Sequence, residues 1–139
     1  MKKTLCLILI IFLLSACSPQ LVNVEKKLEI QEKVFVIPDN PGRVTFVEGV
    51  KVIQLEARQW EFIPNEIVLN QGEKVRIEAY SSDILHGLEI KALGIDEKLE
   101  PGTLTKIEFI AETPGTYDFR SSQYSGVGFN NMKGKIIIE

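Results

Sequence analysis

The sequence predicts an all-β domain, an antiparallel sandwich or Greek-key barrel built of short strands. Three observations carry that prediction. Apolar and polar residues alternate with period two, most cleanly over residues 74–79, where Val75, Ile77 and Ala79 interleave with Lys74, Arg76 and Glu78. Turn signals punctuate the alternation at Pro64-Asn65, Gln71-Gly72, Pro101-Gly102 and Pro114-Gly115. No helical period of any length occurs between residues 44 and 139.

The domain is expected to start between Val44 and Lys51, and is assigned to residues 46–139. Residues 51–57 alternate Val52, Gln54 and Glu56 against Ile53, Leu55 and Ala57, and Trp60 and Phe62 continue the period. Strands follow at 67–69, 74–79 and 86–90. The run 105–110 carries Ile107 and Phe109 on one face; a further strand spans 116–119, and 136–138 closes the chain. A loop is expected from Ser121 to Met132. About seven short strands at this spacing suit a sandwich.

The first 16 residues read as a targeting segment. Lys2 and Lys3 give a basic start, and residues 5–14 form an uncharged apolar run. That run is too short to span a bilayer, which takes roughly 20 apolar residues. Leu14-Ser15-Ala16-Cys17 resembles a bacterial lipobox, which implies cleavage before Cys17 and a diacylglyceryl group on its sulfur. An ordinary signal peptide with a chance cysteine, or an uncleaved single-span anchor, are the other readings. Lipid chains would hold the protein on a membrane surface without spanning it.

Residues 17–45 read as tether and lead-in. Residues 25–33 are charged, with apolar Leu28 and Ile30, and suit a short helix or a disordered tether equally. Residues 34–37 (Val-Phe-Val-Ile) form a short apolar run ended by Pro38, and Asp39-Asn40-Pro41-Gly42 is a turn cluster. The net charge is −3, from 16 basic and 19 acidic residues, and loss of Lys2 and Lys3 makes it more negative. That balance argues against a nucleic-acid partner. It would suit a basic protein partner, although mild acidity is also ordinary for soluble domains. Of the two cysteines, Cys6 leaves with the signal peptide and Cys17 is consumed by lipid. The mature domain then has no thiol for a disulfide or a thiolate metal ligand.

From about Val50 to the end, several blocks occur in a recognisable order. They are residues 57–62 (Ala-Arg-Gln-Trp-Glu-Phe), 64–67 (Pro-Asn-Glu-Ile) and 82–87 (Ser-Asp-Ile-Leu-His-Gly). Then come 99–102 (Leu-Glu-Pro-Gly), 114–117 (Pro-Gly-Thr-Tyr), 123–128 (Gln-Tyr-Ser-Gly-Val-Gly) and 131–134 (Asn-Met-Lys-Gly). This stretch resembles the copper-binding domain of cytochrome c oxidase subunit II, a cupredoxin-type fold, and most of all the compact form in ba-type oxidases. The resemblance implies a cupredoxin-like Greek-key β-sandwich.

It also implies a site. The family binds a dinuclear purple copper centre, CuA, through a histidine and then Cys-x-x-x-Cys-x-x-x-His-x-x-Met, with a backbone carbonyl at longer range. Soft thiolate and thioether ligands suit copper(I), and imidazole suits both oxidation states. Carried over by position, the first histidine is His86 and the methionine is Met132. The first cysteine falls on Ser121, the carbonyl donor on Gln123, the second cysteine on Ser125 and the second histidine on Phe129. Serine cannot bridge copper as a thiolate does, and phenylalanine offers no lone pair. The resemblance thus predicts the fold and a degenerate site with His86 and Met132 as its residual metal ligands.

Each residue also has a plainer reading. His86, the only histidine, would be a structural residue at a strand start, and Met132 would be core packing. Trp60 and Tyr124 would pack in the core or on the surface. No carboxylate pair is placed for acid–base chemistry, and a dyad of His86 with Ser121 or Ser125 has no support beyond chance, so no enzymatic activity is expected. Three functions remain. One is a membrane-anchored extracytoplasmic docking or accessory module of a respiratory oxidase, without CuA and with no cofactor. The second is a carrier binding one copper(I) ion through His86 and Met132 and handing it to a copper-handling protein. The third, an electron-transfer subunit, is opposed by the missing thiolates.

Overall fold

The computed structural model describes residue 38 and residues 40–139. The expected signal peptide, the lipidation site Cys17 and the tether up to residue 37 lie outside the described residues. Among the described residues ten strands are present, in chain order β1 (Val44–Val47), β2 (Val50–Arg58), β3 (Glu61–Ile63), β4 (Glu66–Leu69), β5 (Lys74–Ser81), β6 (His86–Ile90), β7 (Ile95–Leu99), β8 (Thr105–Ile110), β9 (Gly115–Arg120) and β10 (Lys133–Ile138). They make two five-stranded sheets. The first runs β1-β2-β5-β8, with β3 also on β2; the second runs β4-β10-β9-β6-β7. Among the described residues no helix is long and apolar enough to cross a membrane.

Period-two patterning places the core between the sheets. Ile53, Leu55 and Ala57 of β2 pair in register with Ile77, Ala79 and Ser81 of β5, so one apolar face is shared. The second sheet answers with Leu88, Ile90, Phe119 and Ile136. Phe62 and Phe119 meet across the layers edge to face, centroids 5.2 Å apart. Burying one such large side chain contributes about 1.5–3 kcal/mol.

The sandwich is not purely antiparallel. β2 and β5 are parallel, and so are β4 and β10. The reason is topological: β4 crosses to the second sheet, and β5 returns to the first beside β2. Two strands go beyond those read from the sequence. β1 starts at Val44, so the sheet takes in Val44 and Thr45 from the stretch read as lead-in. β7 carries exposed Asp96, Glu97 and Lys98, which hide the period; it is an edge strand, where charge is tolerated and guards against further pairing. Trp60 is not in a strand but in the turn between β2 and β3.

Candidate functional site

The site lies where three loops meet at one end of the sandwich: the β2–β3 turn at Gln59 and Trp60, the β5–β6 loop at residues 82–85, and the β9–β10 loop at 121–132. His86 opens β6, so the sheet fixes its backbone; its side chain is wholly buried. Asp83, three residues earlier, approaches His86 Nε2 with Oδ1 at 2.7 Å. The other ring nitrogen, Nδ1, is buried with no hydrogen-bond partner among the described residues. In the neutral ring, an Nε2 proton donated to the carboxylate leaves a lone pair on Nδ1. This is the arrangement by which a carboxylate orients a metal-ligating imidazole.

Asp83 ties two of the loops together. Its Oδ2 accepts from the Gln59 backbone N–H at 2.7 Å and its Oδ1 from the Ile84 N–H at 2.6 Å. Burial pulls the carboxyl pKa upward, but the Ile84 and Gln59 N–H groups and the His86 ring outweigh it and hold Asp83 below its ordinary value. Ser81 Oγ donates to the Ile84 carbonyl and closes the same loop.

The β9–β10 loop is closed at its base, where the Ser121 N–H donates to the Met132 carbonyl at 3.0 Å. Close approach at Gly87 brings the loop onto β6. A Cβ on Gly87 would meet Ser122 Oγ at 2.2 Å and the Gln123 nitrogen at 2.9 Å, so only glycine fits there. The Gly87 N–H points at Ser121 Oγ, 3.4 Å away. Ser121 Oγ in turn donates to the Gln123 carbonyl at 3.1 Å. The hydroxyl at the first cysteine position is therefore bonded to the carbonyl at the backbone-donor position.

Ser125 is anchored from the other side. Its carbonyl accepts from Gln59 Nε2 at 2.8 Å and Trp60 Nε1 at 3.0 Å, while its own Oγ is buried without a partner among the described residues. Phe129 is half-buried and lies edge to face with Tyr124, centroids 5.5 Å apart. Met132 is buried and belongs to the core cluster. The outer surface of these loops is apolar: Trp60 is 44% exposed, Tyr124 74% and Val127 90%.

The structure thus brings His86, Ser121 and Gln123 together around Gly87, and joins Met132 to them through the Ser121 backbone. Ser125 is tied to Trp60, and Phe129 lies on the exposed side with Tyr124. The donors available at these positions are one imidazole, one thioether and two hydroxyls, with no thiolate. That set does not fit a thiolate-bridged dinuclear centre. Among the described residues no group of three or more His, Cys, Asp or Glu could hold a metal. Sequence reasoning missed Asp83, Gln59 and Gly87 as site residues. An acid three residues before the sole histidine was the signal for Asp83; Gly87 acts through close backbone approach and Gln59 through its N–H and its side-chain amide to two other loops, which no local pattern encodes.

The sequence pattern of the cupredoxin-like domain family matches residues 5–138. The chain is 30% identical over 76 residues to cytochrome c oxidase subunit 2 of Thermus thermophilus, covering 55% of this chain and 56% of that protein. It is 26% identical over 102 residues to quinol oxidase subunit 2 of Sulfolobus acidocaldarius, covering 71% and 61%. Among solved structures it superposes on a chain of a heme-copper terminal oxidase dimer seen by cryo-electron microscopy. There the TM-score is 0.63 and the identity 31%, over 75% of this chain and 76% of that one. The chain spans about half the length of the first two curated relatives it matches.

Proposed function

This chain belongs to the cupredoxin-like domain family, and from that membership we propose that it is an extracytoplasmic docking or accessory module of a respiratory oxidase, held to a membrane by lipid on Cys17 and lacking a CuA centre. It performs no chemistry of its own. The similarity to oxidase subunits supports the kind of partner, a heme-copper oxidase complex. The relatedness to a quinol oxidase subunit supports a role for the fold in such complexes generally.

One observation carries the reading: an exposed apolar cap sits on loops joined to one another by hydrogen bonds. Trp60, Tyr124 and Val127 stand exposed on loops that Asp83 and the Ser125 carbonyl lace together. Large apolar side chains held at one end of a domain mark an interaction surface. Beneath them, Ser121 bonded to Gln123 maintains the loop path without metal.

The test is binding of the lipidated chain, in nanodiscs, to purified heme-copper oxidase from the same cells. Val127→Asp and Tyr124→Ala should each weaken binding at least tenfold, about 1.4 kcal/mol. Absence of binding, or binding indifferent to both changes, overturns the reading. Replacement of Cys17 by Ser should release the chain from the membrane fraction; persistence there refutes the lipid anchor.

The buried Nδ1 of His86, without a partner among the described residues, favours a second reading. His86 and Met132 would hold one copper(I), whose chemistry is soft-ligand capture and transfer. Anaerobic copper(I) competition with wild type and His86→Ala decides it: tight binding by wild type alone supports a carrier, and equal weak binding rejects it.

A further inference from the structure

Among the described residues, β1 is the strand edge with least to block further pairing. It ends the first sheet and bonds only β2, whose remaining length on that side is taken by β3 at residues 56–58. An edge strand invites another unless charge or a side chain stops it. On β4, whose other side bonds β10, Lys51 Nζ donates to the Val68 carbonyl at 3.0 Å. On β7, Asp96, Glu97 and Lys98 are exposed, and Thr105 Oγ1 donates to the Lys98 carbonyl at 3.2 Å. β8 exposes Lys106 and Glu108. β1 has no charged residue, and its Val44 is 48% exposed, Phe46 68% and Val47 48%.

Two backbone features fix which groups of β1 are free. The Gln54 N–H donates to the Arg43 carbonyl at 3.0 Å. At the other end Glu48 and Gly49, with φ of 52° and 78°, make the two-residue turn that closes on Val47 and Val50. Bonded positions alternate in an antiparallel pair, so residues 43, 45 and 47 bond toward β2, and Val44 and Phe46 turn their N–H and C=O groups to the open edge. Val44 and Phe46 also share one side-chain face, opposite Ile53 and Lys51. Such an edge is self-complementary. Set antiparallel to itself about Thr45, β1 places Val44 opposite Phe46 of a second copy, where the outward N–H and C=O groups of the two residues match. The apolar pair recurs on each side of the two-fold axis. Arg43 falls opposite Val47 of the second copy and beside its Glu48, so the flanking charges are opposite in sign.

We propose that β1 is a self-association edge, through which two copies of this chain join antiparallel about a two-fold axis at Thr45, so that the first sheet runs on from one copy into the other. The contact is four residues a side, which places it among the weak associations. The paired residues lie along the Val50 half of β2, whereas Trp60 follows its Arg58 end, so each copy keeps its apolar loop surface free. The pair presents two such surfaces in place of one.

The test is oxidative cross-linking of the full chain in detergent after Thr45→Cys. The two residues opposed at the axis are not hydrogen-bonded to one another, so their Cα atoms stand about 4.5 Å apart, within disulfide range. Thr45→Cys should give at least ten times as much disulfide-linked dimer as wild type, or as Lys106→Cys on the β8 edge. Adding Phe46→Lys should remove the gain; Phe46 is 68% exposed, so the fold does not rest on it. No gain over the two controls overturns the pairing, and so does a gain that survives Phe46→Lys. Hydrogen exchange separates a different occupant. Val44 and Phe46 amides that stay protected in a monomeric chain assign the edge to a segment of that same chain and overturn the pairing as well.

Discussion

Asp83 Oδ1 lies 2.7 Å from His86 Nε2, while the opposite ring nitrogen of this buried imidazole meets no partner among the described residues. The same carboxylate receives the Gln59 and Ile84 backbone N–H groups. One side chain thus fixes the histidine tautomer and joins the β2–β3 turn to the β5–β6 loop. Asp83→Ala should cost about 2 kcal/mol in denaturant unfolding, because those donors lose their acceptor. Nitrogen-15 chemical shifts of His86 should show the proton on Nε2 in wild type and a tautomer mixture in the variant. A single unchanged tautomer would contradict the assignment.

The loop path can be tested by refilling it. Ser121→Cys, Ser125→Cys and Phe129→His together restore the family ligand pattern around His86 and Met132. If the hydrogen bonds from Ser121 to Gln123 and from Gln59 to Ser125 maintain the family loop path, the triple variant should take up a dinuclear copper centre with purple absorption. Wild type should show none. A triple variant that folds and stays colourless with copper would mean that the loop has drifted.

Met132 separates packing from ligation. It is 1% exposed within the core cluster, so Met132→Ala should destabilise by about 2–4 kcal/mol. Met132→Leu conserves volume and should cost under about 1.5 kcal/mol. A copper(I) affinity that falls in the leucine variant while stability holds would mark the thioether as a ligand.

Gly128 lies under the Trp60 ring, where a Cβ would stand 2.4 Å from Cδ2. Gly128→Ala should push the indole outward and break its bond to the Ser125 carbonyl. Trp60 is the only tryptophan, so the displacement should red-shift the emission. Unchanged emission would show that the loop yields instead of the ring.

Burial pushes the Tyr80 phenol up to about 12; the Glu56 carboxylate adds to the rise and Arg58 opposes it. The unfolded chain releases this proton near 10. Between about 10 and 12 the native state keeps a proton that the unfolded state has lost, so stability should fall as pH rises through that window. Below it, Tyr80 contributes no pH dependence. The unfolding free energy of Tyr80→Phe should decline less steeply from pH 10 upward; equal slopes would exclude Tyr80 as the cause.

The strands with one buried face were legible in the sequence because their alternation is a local consequence of which side meets the core. β2, β5 and β8 show it, and so does the identity of the residues at the ligand positions. The edge strands β1 and β7 were not, since β1 is largely exposed and exposed Glu97 interrupts the buried face of β7 between Ile95 and Leu99, which leaves pairing to be decided by the neighbouring strand. The chain by itself also determined that positions 121 and 125 carry serine and not cysteine, because chemistry of that kind is fixed by residue type. Only the tertiary structure decided that Asp83 holds His86 by one nitrogen, that Ser121 bonds the Gln123 carbonyl, and that the far face of the first sheet is buried. The two hydrogen bonds join residues close in sequence, but the loop conformations that form them are set by the strands those loops connect, and burial of the far face exists only once β2 and β5 have paired within the fold.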